Sequence, residues 1–180
     1  MRTIMTTAGL AAALAATVLT MGPALADVIE GNDRDNELLG TPQPDTMRGF
    51  GGEDQLFGYS GRDRMRGGPG ADSLYGGGRA DDLDGGRGPD TVGGNQHDDV
   101  LRGGPGRDEV FGAGGDDRYV DEAGADEVHL GPGDDVVVVR RVDGKADEIH
   151  CGAGDDTVRY LRRRDAADTL EGCETVTVGR

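Results

Sequence analysis

Aromatic side chains are scarce in this chain of 180 residues, which has no Trp, three Phe and four Tyr. Glycine supplies 34 residues, more than twice its usual share of about 7%. A helical bundle does not tolerate so much glycine, because each interior Gly costs about 1 kcal/mol relative to Ala. Proline is sparse and glycine does not recur at every third position, which excludes collagen. The composition argues against an ordinary single-core domain, although low hydropathy and high net charge alone also fit disorder.

Positive charge is also in short supply, with 19 Lys+Arg against 35 Asp+Glu and a net charge of −16. This balance argues against binding to nucleic acid and against docking on an anionic membrane. The acidity comes mainly from one residue type, because Asp outnumbers Glu 26 to 9.

The first 26 residues differ from the rest. Arg2 precedes an apolar Ala- and Leu-rich stretch that ends in Ala24, Leu25 and Ala26, the pattern of a cleavable secretory signal peptide. A membrane anchor is the alternative, but the stretch is short and only weakly apolar. No later stretch is apolar enough to span a bilayer. We therefore expect a secreted, extracellular protein in a compartment where disulfides survive.

The remaining chain is a repeat array, with Asp residues recurring every nine positions. The unbroken series is Asp45, Asp54, Asp63, Asp72, Asp81, Asp90, Asp99, Asp108, Asp117, Asp126 and Asp135. An apolar residue follows each Asp by two positions, from Met47 to Val137. Glycine follows by four positions from Gly49 to Gly112, until Asp121 and Leu130 break that column.

These columns give the pattern G-G-x-G-x-D-x-U-x, where U is apolar, seen most clearly in residues 67–75 and 103–111. The sequence resembles the calcium-binding nonapeptide repeats of the RTX (hemolysin-type) family, and its closing segments resemble those of secreted actinobacterial calcium-binding proteins. The resemblance covers about residues 28–158. It implies an all-β fold, a right-handed parallel β-roll, with several Ca²⁺ ions held between adjacent turns.

Physical reasoning supports the same fold. Two nine-residue units make a coil of eighteen residues, and successive coils lie about 4.8 Å apart. The apolar residue of one unit is buried only if units stack. Carboxylates and turn carbonyls at that spacing could form a cage of six or more oxygens around calcium. The alternative is a solvated acidic face, since Asp and Gly also favour turns without metal.

The turns form two rows that differ in their glycines. The first row carries Asp54, Asp72, Asp90, Asp108 and Asp126, each preceded by a glycine: Gly52, Gly70, Gly88, Gly106 and Gly124. The second row carries Asp45, Asp63, Asp81, Asp99, Asp117 and Asp135. In the second row Gln43, Arg79 and His97 replace the matching glycine, where a side chain costs strain if φ is positive. We expect calcium to fill the first row more tightly.

After Asp135 the spacing lengthens, with Asp147 twelve residues on and Asp156 nine further, and we expect these two aspartates to be calcium ligands as well. We therefore divide the secreted chain into a regular roll at 27–138 and longer coils at 139–180. Cys151 and Cys173 should lie at one corner of adjacent coils, close enough for a disulfide. A zinc site lacks sufficient nearby Cys or His ligands.

The sequence predicts no enzyme: only two Ser are present, both cysteines are used in the disulfide, and no segment outside the array could form a catalytic domain. We expect a secreted calcium-ion-binding protein whose folding is coupled to calcium, with a structural or adhesive role and an unidentified cell-surface or polysaccharide partner. Alternatives are an extracellular polysaccharide-binding module, or the remnant or appendage of a secreted hydrolase. No ladder of one polar type supports ice binding.

Overall fold

The computed structural model of the chain describes residues 3–5, 26–141 and 143–179. All regular structure in these residues is β-strand, and the strands of each sheet pair in parallel, which confirms the predicted parallel β-roll. In the described parts of the chain, no helix has the length and apolarity needed to cross a membrane. The predicted signal peptide lies outside the described residues, apart from residues 3–5 and 26, and stays a prediction.

The chain alternates between two large sheets and adds one small one. The ten-stranded first sheet contains, in order, β1 (Thr3–Met5), β2 (Val28–Asn32), β4 (Thr46–Phe50), β6 (Arg64–Pro69), β8 (Asp82–Arg87), β10 (Val100–Arg102), β13 (Arg118–Asp121), β16 (Val136–Val139), β18 (Thr157–Tyr160) and β20 (Thr175–Val178). The eight-stranded second sheet contains, in chain order, β3 (Glu37–Leu39), β5 (Gln55–Phe57), β7 (Ser73–Gly78), β9 (Thr91–Gln96), β12 (Glu109–Gly114), β15 (Glu127–Pro132), β17 (Glu148–Ala153) and β19 (Thr169–Glu171). The two-stranded sheet pairs β11 (Pro105–Gly106) with β14 (Ala123–Gly124).

Neighbouring strands keep a fixed sequence offset. Leu56 of β5 lies opposite Leu74 of β7, eighteen residues later. Towards the carboxyl end the offset rises to 21 residues, as where Val128 of β15 lies opposite Ile149 of β17. The pairing of β18 with β20 returns to eighteen. The predicted lengthening of the coil is therefore confirmed, but it is confined to the pairings of β15 with β17, β16 with β18 and β17 with β19.

The apolar residue two positions after each repeat aspartate points into the core. From Met47 to Val137, every one of these residues is at most 1% exposed. Side chains on either side of it point outwards, because successive residues of a strand face opposite sides. Each nine-residue unit thus contributes about one core side chain, so the roll owes its stability to the stacking of units.

Cys151 and Cys173 form the predicted disulfide, with their Cα atoms 5.2 Å apart. Cys151 lies on β17 and is fully buried, whereas Cys173 follows β19 and is only partly buried. The bond therefore ties two adjacent coils together at the carboxyl-terminal end of the second sheet.

The outer face of the second sheet carries a row of stacked rings. Phe57 and Tyr75 stack with ring centroids 5.4 Å apart. Further along, His129 stacks between Phe111, at 5.6 Å, and His150, at 4.6 Å. These five residues are called the aromatic stripe below. His129 and His150 are thus part of an ordered surface feature.

Candidate metal sites between the turns

Each repeat aspartate ends a turn and directly precedes a strand. The Oδ1 atom of Asp90 accepts a hydrogen bond from the backbone N–H of Asp72 at 2.8 Å. The N–H of Asp90 in turn donates to Oδ1 of Asp108 at 2.9 Å. The same bond recurs along both rows and continues across the longer coils, as between the N–H of Asp126 and Oδ1 of Asp147 at 3.0 Å. One carboxylate oxygen of each aspartate is therefore used to join adjacent coils.

The second carboxylate oxygen has a different environment. Among the described residues, Oδ2 is buried and lacks a hydrogen-bond partner at ten repeat aspartates: Asp54, Asp63, Asp72, Asp81, Asp90, Asp99, Asp108, Asp117, Asp135 and Asp156. Burying a charged oxygen without a partner is costly. A cation beside these oxygens would remove that cost.

Backbone oxygens line the same spaces. A Cβ atom built on Gly85 would lie 2.6 Å from Oδ2 of Asp90 and 2.7 Å from the carbonyl oxygen of Gly103 on the next coil. The glycine at this repeat position keeps the space open. The same pair of oxygens, one from the turn's own aspartate and one from the next coil, lies beside Gly49, Gly58, Gly67 and Gly112.

This donor set fits calcium, which takes six to eight oxygen ligands from carboxylates, carbonyls and water. Nowhere in residues 26–141 or 143–179 do three His, Cys, Asp or Glu side chains form a metal cluster by themselves. Any ion held between the turns would therefore depend on backbone carbonyls as well as on the aspartates.

Burial changes the acidity of these carboxylates. It raises the pKa of Asp108 to about 8, and the neighbouring Asp126 and Asp90 carboxylates add to the shift. Burial likewise raises the pKa of Asp99 to about 8 and that of Asp54 to about 7, against an ordinary value of 3.8. Hydrogen bonds from the preceding coil oppose these shifts without cancelling them. Near neutral pH, the folded turns therefore favour a bound proton or a bound cation.

Three of the predicted ligands differ from the ten aspartates whose Oδ2 atom lacks a hydrogen-bond partner. Oδ2 of Asp45 accepts hydrogen bonds from the backbone N–H of Thr41 at 2.7 Å and from its hydroxyl at 3.0 Å. Oδ2 of Asp126 accepts a hydrogen bond from the Tyr119 hydroxyl at 2.9 Å. Asp147 is buried, but neither of its oxygens is among those left without a partner. The turns predicted from one repeating pattern are thus not chemically uniform.

The glycines of the first row have the expected close contacts. Gly52, Gly70 and Gly88 have φ angles of 108°, 156° and 122°, in the region that favours glycine. An added Cβ at Gly70 would clash with the carbonyl oxygen of Gly52. Gly106 and Gly124 are not among the positive-φ residues, but a Cβ at either would also clash with the preceding coil.

The second row contains the strain that its sequence predicts. Arg79 and His97 have φ angles of 81° and 76°, which side-chain-bearing residues rarely adopt. The backbone N–H of Arg79 donates to Nδ1 of His97 at 3.2 Å. Gln43 is not among the positive-φ residues, so the expected strain is confirmed at two of the three positions.

Asp121 is a buried acidic residue that the repeat pattern did not predict as a site residue. Its side chain is 3% exposed and its Oδ1 atom has no hydrogen-bond partner among the described residues. Burial raises the pKa of Asp121 to about 8, with further contributions from Asp147 and Asp126. Its position, where earlier repeats have glycine, was the available signal that this turn departs from the pattern.

The fold and the oxygen-lined turns together define a parallel β-roll with the chemistry of a calcium-binding repeat protein. The profile of the RTX calcium-binding nonapeptide repeat matches the sequence in four copies, at residues 30–65, 57–92, 93–120 and 111–139. The chain belongs to this family, since the matched copies span more than half of it. No curated protein matches the chain.

Proposed function

We propose that this chain is a secreted calcium-binding protein whose β-roll folds when calcium binds between stacked turns. The observation that supports this most directly is the set of ten buried Oδ2 atoms without hydrogen-bond partners. Each of these oxygens opposes folding while it is charged and unpaired. A cation that binds only the stacked turns stabilises the folded chain by mass action.

The proposed ligands are the ten aspartates with an unpartnered Oδ2, together with carbonyl oxygens of the adjoining coil. When bound, calcium would supply positive charge to a chain whose formal net charge is −16. Extracellular calcium modules commonly bind at about 10⁻⁴ to 10⁻³ M. Sites of that affinity would fill after export, so secretion itself would favour folding.

The proposed function is tested by far-UV circular dichroism during a calcium titration, with magnesium as the control ion. The chain from Asp27 onward is compared with the full-length chain, because cleavage after Ala26 is part of the proposal. We expect a transition from coil to β-structure with calcium and little response to magnesium. A chain already fully folded in EDTA at neutral pH would overturn calcium-coupled folding.

A second candidate function is binding of an extracellular polysaccharide at the aromatic stripe. Tyr75 is 37% exposed, and the stacked rings run across several strands of one face. Tyr and His combine an apolar ring with a polar group, which suits binding at a wet surface. Affinity electrophoresis against a panel of polysaccharides tests this idea. Retardation that is lost in a Tyr75→Ala, Phe111→Ala double variant would support it, and no retardation by any polymer would count against it.

A further inference from the structure

Asp147 and Asp168 continue the first row through the longer coils. Two turns of this extended row are closed by a tyrosine hydroxyl. The Tyr119 hydroxyl donates to Oδ2 of Asp126 at 2.9 Å, and the Tyr160 hydroxyl donates to Oδ2 of Asp168 at 2.9 Å. One coil earlier, the corresponding Oδ2 atom of Asp108 is buried without a partner. The same oxygen is thus unpartnered at Asp108 and bound by a tyrosine hydroxyl at Asp126 and Asp168.

The two tyrosines reach their aspartates from different places in the repeat. Tyr119 occupies the inward position two residues after Asp117, where all the preceding repeats have an aliphatic residue or Met. Tyr160 is the last residue of β18, one coil beyond Val139 of β16. Both side chains are at most 1% exposed, so neither ring can leave without repacking the core. A tyrosine hydroxyl placed at either of two different repeat positions therefore reaches the Oδ2 atom of an aspartate.

A hydroxyl and a calcium ion would compete for the oxygen. Calcium binds its oxygen ligands at about 2.3–2.6 Å and needs space for several of them. A tyrosine hydroxyl 2.9 Å from Oδ2 of Asp126 occupies that side of the oxygen. The hydrogen bond also offsets the cost of burying Oδ2 of Asp126. At Asp108, where no such bond exists, that cost favours a cation.

We propose that the Tyr119 and Tyr160 hydroxyls take the place of calcium at these two turns, so that Asp126 and Asp168 are not calcium ligands. The inference rests on the proposed function, because it decides which turns of a calcium-binding roll take the ion. It changes the sequence-based expectation for Asp126, which belonged to the row expected to bind most tightly. The carboxyl-terminal part of that row is held by protein hydrogen bonds, while the coils before it depend on metal.

The test compares two matched variants of the full-length chain, Asp108→Asn and Asp126→Asn, by native mass spectrometry at saturating calcium. Both changes remove one carboxylate from the same row, on adjacent coils. We expect Asp108→Asn to lose at least one bound ion and Asp126→Asn to keep the wild-type number. Loss of an ion in Asp126→Asn would overturn the inference. Absence of calcium from the wild type, or no loss in Asp108→Asn, would instead count against the proposed function or its ligand set.

Tyr119→Phe provides a second test if Asp126→Asn fails to fold. We expect this variant to melt several degrees lower at saturating calcium, because Oδ2 of Asp126 loses its hydrogen bond, and to bind no fewer ions than the wild type. Tyr59→Phe is the control, since Tyr59 is 56% exposed and its substitution should leave both measurements unchanged. Loss of a bound ion in Tyr119→Phe would place calcium at this turn and overturn the inference.

Discussion

The backbone N–H of Asp90 donates a hydrogen bond to Oδ1 of Asp108, eighteen residues later, at 2.9 Å. The other carboxylate oxygen of Asp108 is buried without a partner. The two oxygens of one side chain therefore have separate roles, one in joining coils and one in the candidate metal site.

Asp108→Asn and Asp108→Ala should separate these roles. Asn can keep an oxygen for the N–H of Asp90 but loses the charged second oxygen, so we expect weaker calcium binding and a preserved calcium-saturated fold. Ala also leaves the N–H of Asp90 unsatisfied, which costs about 1–3 kcal/mol further. Calcium titrations and chemical denaturation at saturating calcium measure the two effects. Equal losses of unfolding free energy in both variants would contradict the separation.

The two rows should differ in their calcium response. Asp90 belongs to a turn with Gly88 at φ 122°, whereas the turn of Asp81 has Arg79 at φ 81°. Because the strained turn should bind calcium more weakly, Asp90→Ala is expected to cost more calcium affinity than Asp81→Ala. Isothermal titration calorimetry of both variants checks the order, and equal losses would count against it.

Arg79→Gly should stabilise the roll. Glycine adopts the positive φ of this turn without steric cost, so we expect a gain of about 1 kcal/mol at saturating calcium. Arg79→Ala is the matched control, because it removes the same side chain and keeps the strain. Denaturant unfolding of the two variants gives the comparison, and an equal gain in both would show that the side chain rather than the backbone angle is responsible.

In the absence of calcium, stability should fall as the pH rises. Burial raises the pKa values of Asp54 and Asp90 to about 7 and that of Asp108 to about 8, from 3.8. The folded chain then binds more protons than the unfolded chain, so this stabilisation is complete below about pH 4 and is lost as the pH rises through 7 to 8. Far-UV circular dichroism in EDTA between pH 4 and 8.5 should show more β-structure at the acidic end. An EDTA signal independent of pH would contradict this prediction.

Reduction of the disulfide should loosen the carboxyl-terminal coils. Cys151 and Cys173 are separated by 22 residues, a loop whose closure stabilises the fold by roughly 3 kcal/mol in the chain-entropy model. We expect a Cys151→Ser, Cys173→Ser variant to lose about that much unfolding free energy at saturating calcium. Adding a reductant to this variant is the control, since it should have no further effect. A wild-type chain unaffected by reduction would show that the bond does not support the fold.

The nine-residue period and the family resemblance together predicted the parallel roll and its inward apolar residues. The later spacing of the aspartates and the cysteines predicted the longer coils and the disulfide. These features follow from spacing, because one repeat position always meets the same position of the next coil. The two turns at which a tyrosine hydroxyl binds Oδ2 of an aspartate could not be predicted in the same way. Tyr119 occupies an inward position and was counted only for its apolar ring, although its hydroxyl reaches Asp126. Asp121 was counted as a lost glycine, and only the folded coil shows that its carboxylate is buried.

The hydrogen bonds between the repeat aspartates of successive coils all point the same way along the chain. The backbone N–H of each repeat aspartate donates to a carboxylate that is synthesised later. The series includes the bond from Asp45 to Asp63 and ends with the bond from Asp156 to Glu174. In a chain that emerges amino end first, these aspartate N–H groups are made before the carboxylates that accept their hydrogen bonds. The most recently made coil always lacks the next carboxylate, and removing residues from the carboxyl end recreates that unfinished edge. The carboxyl-terminal edge of the roll is therefore the edge at which this set of hydrogen bonds is left incomplete.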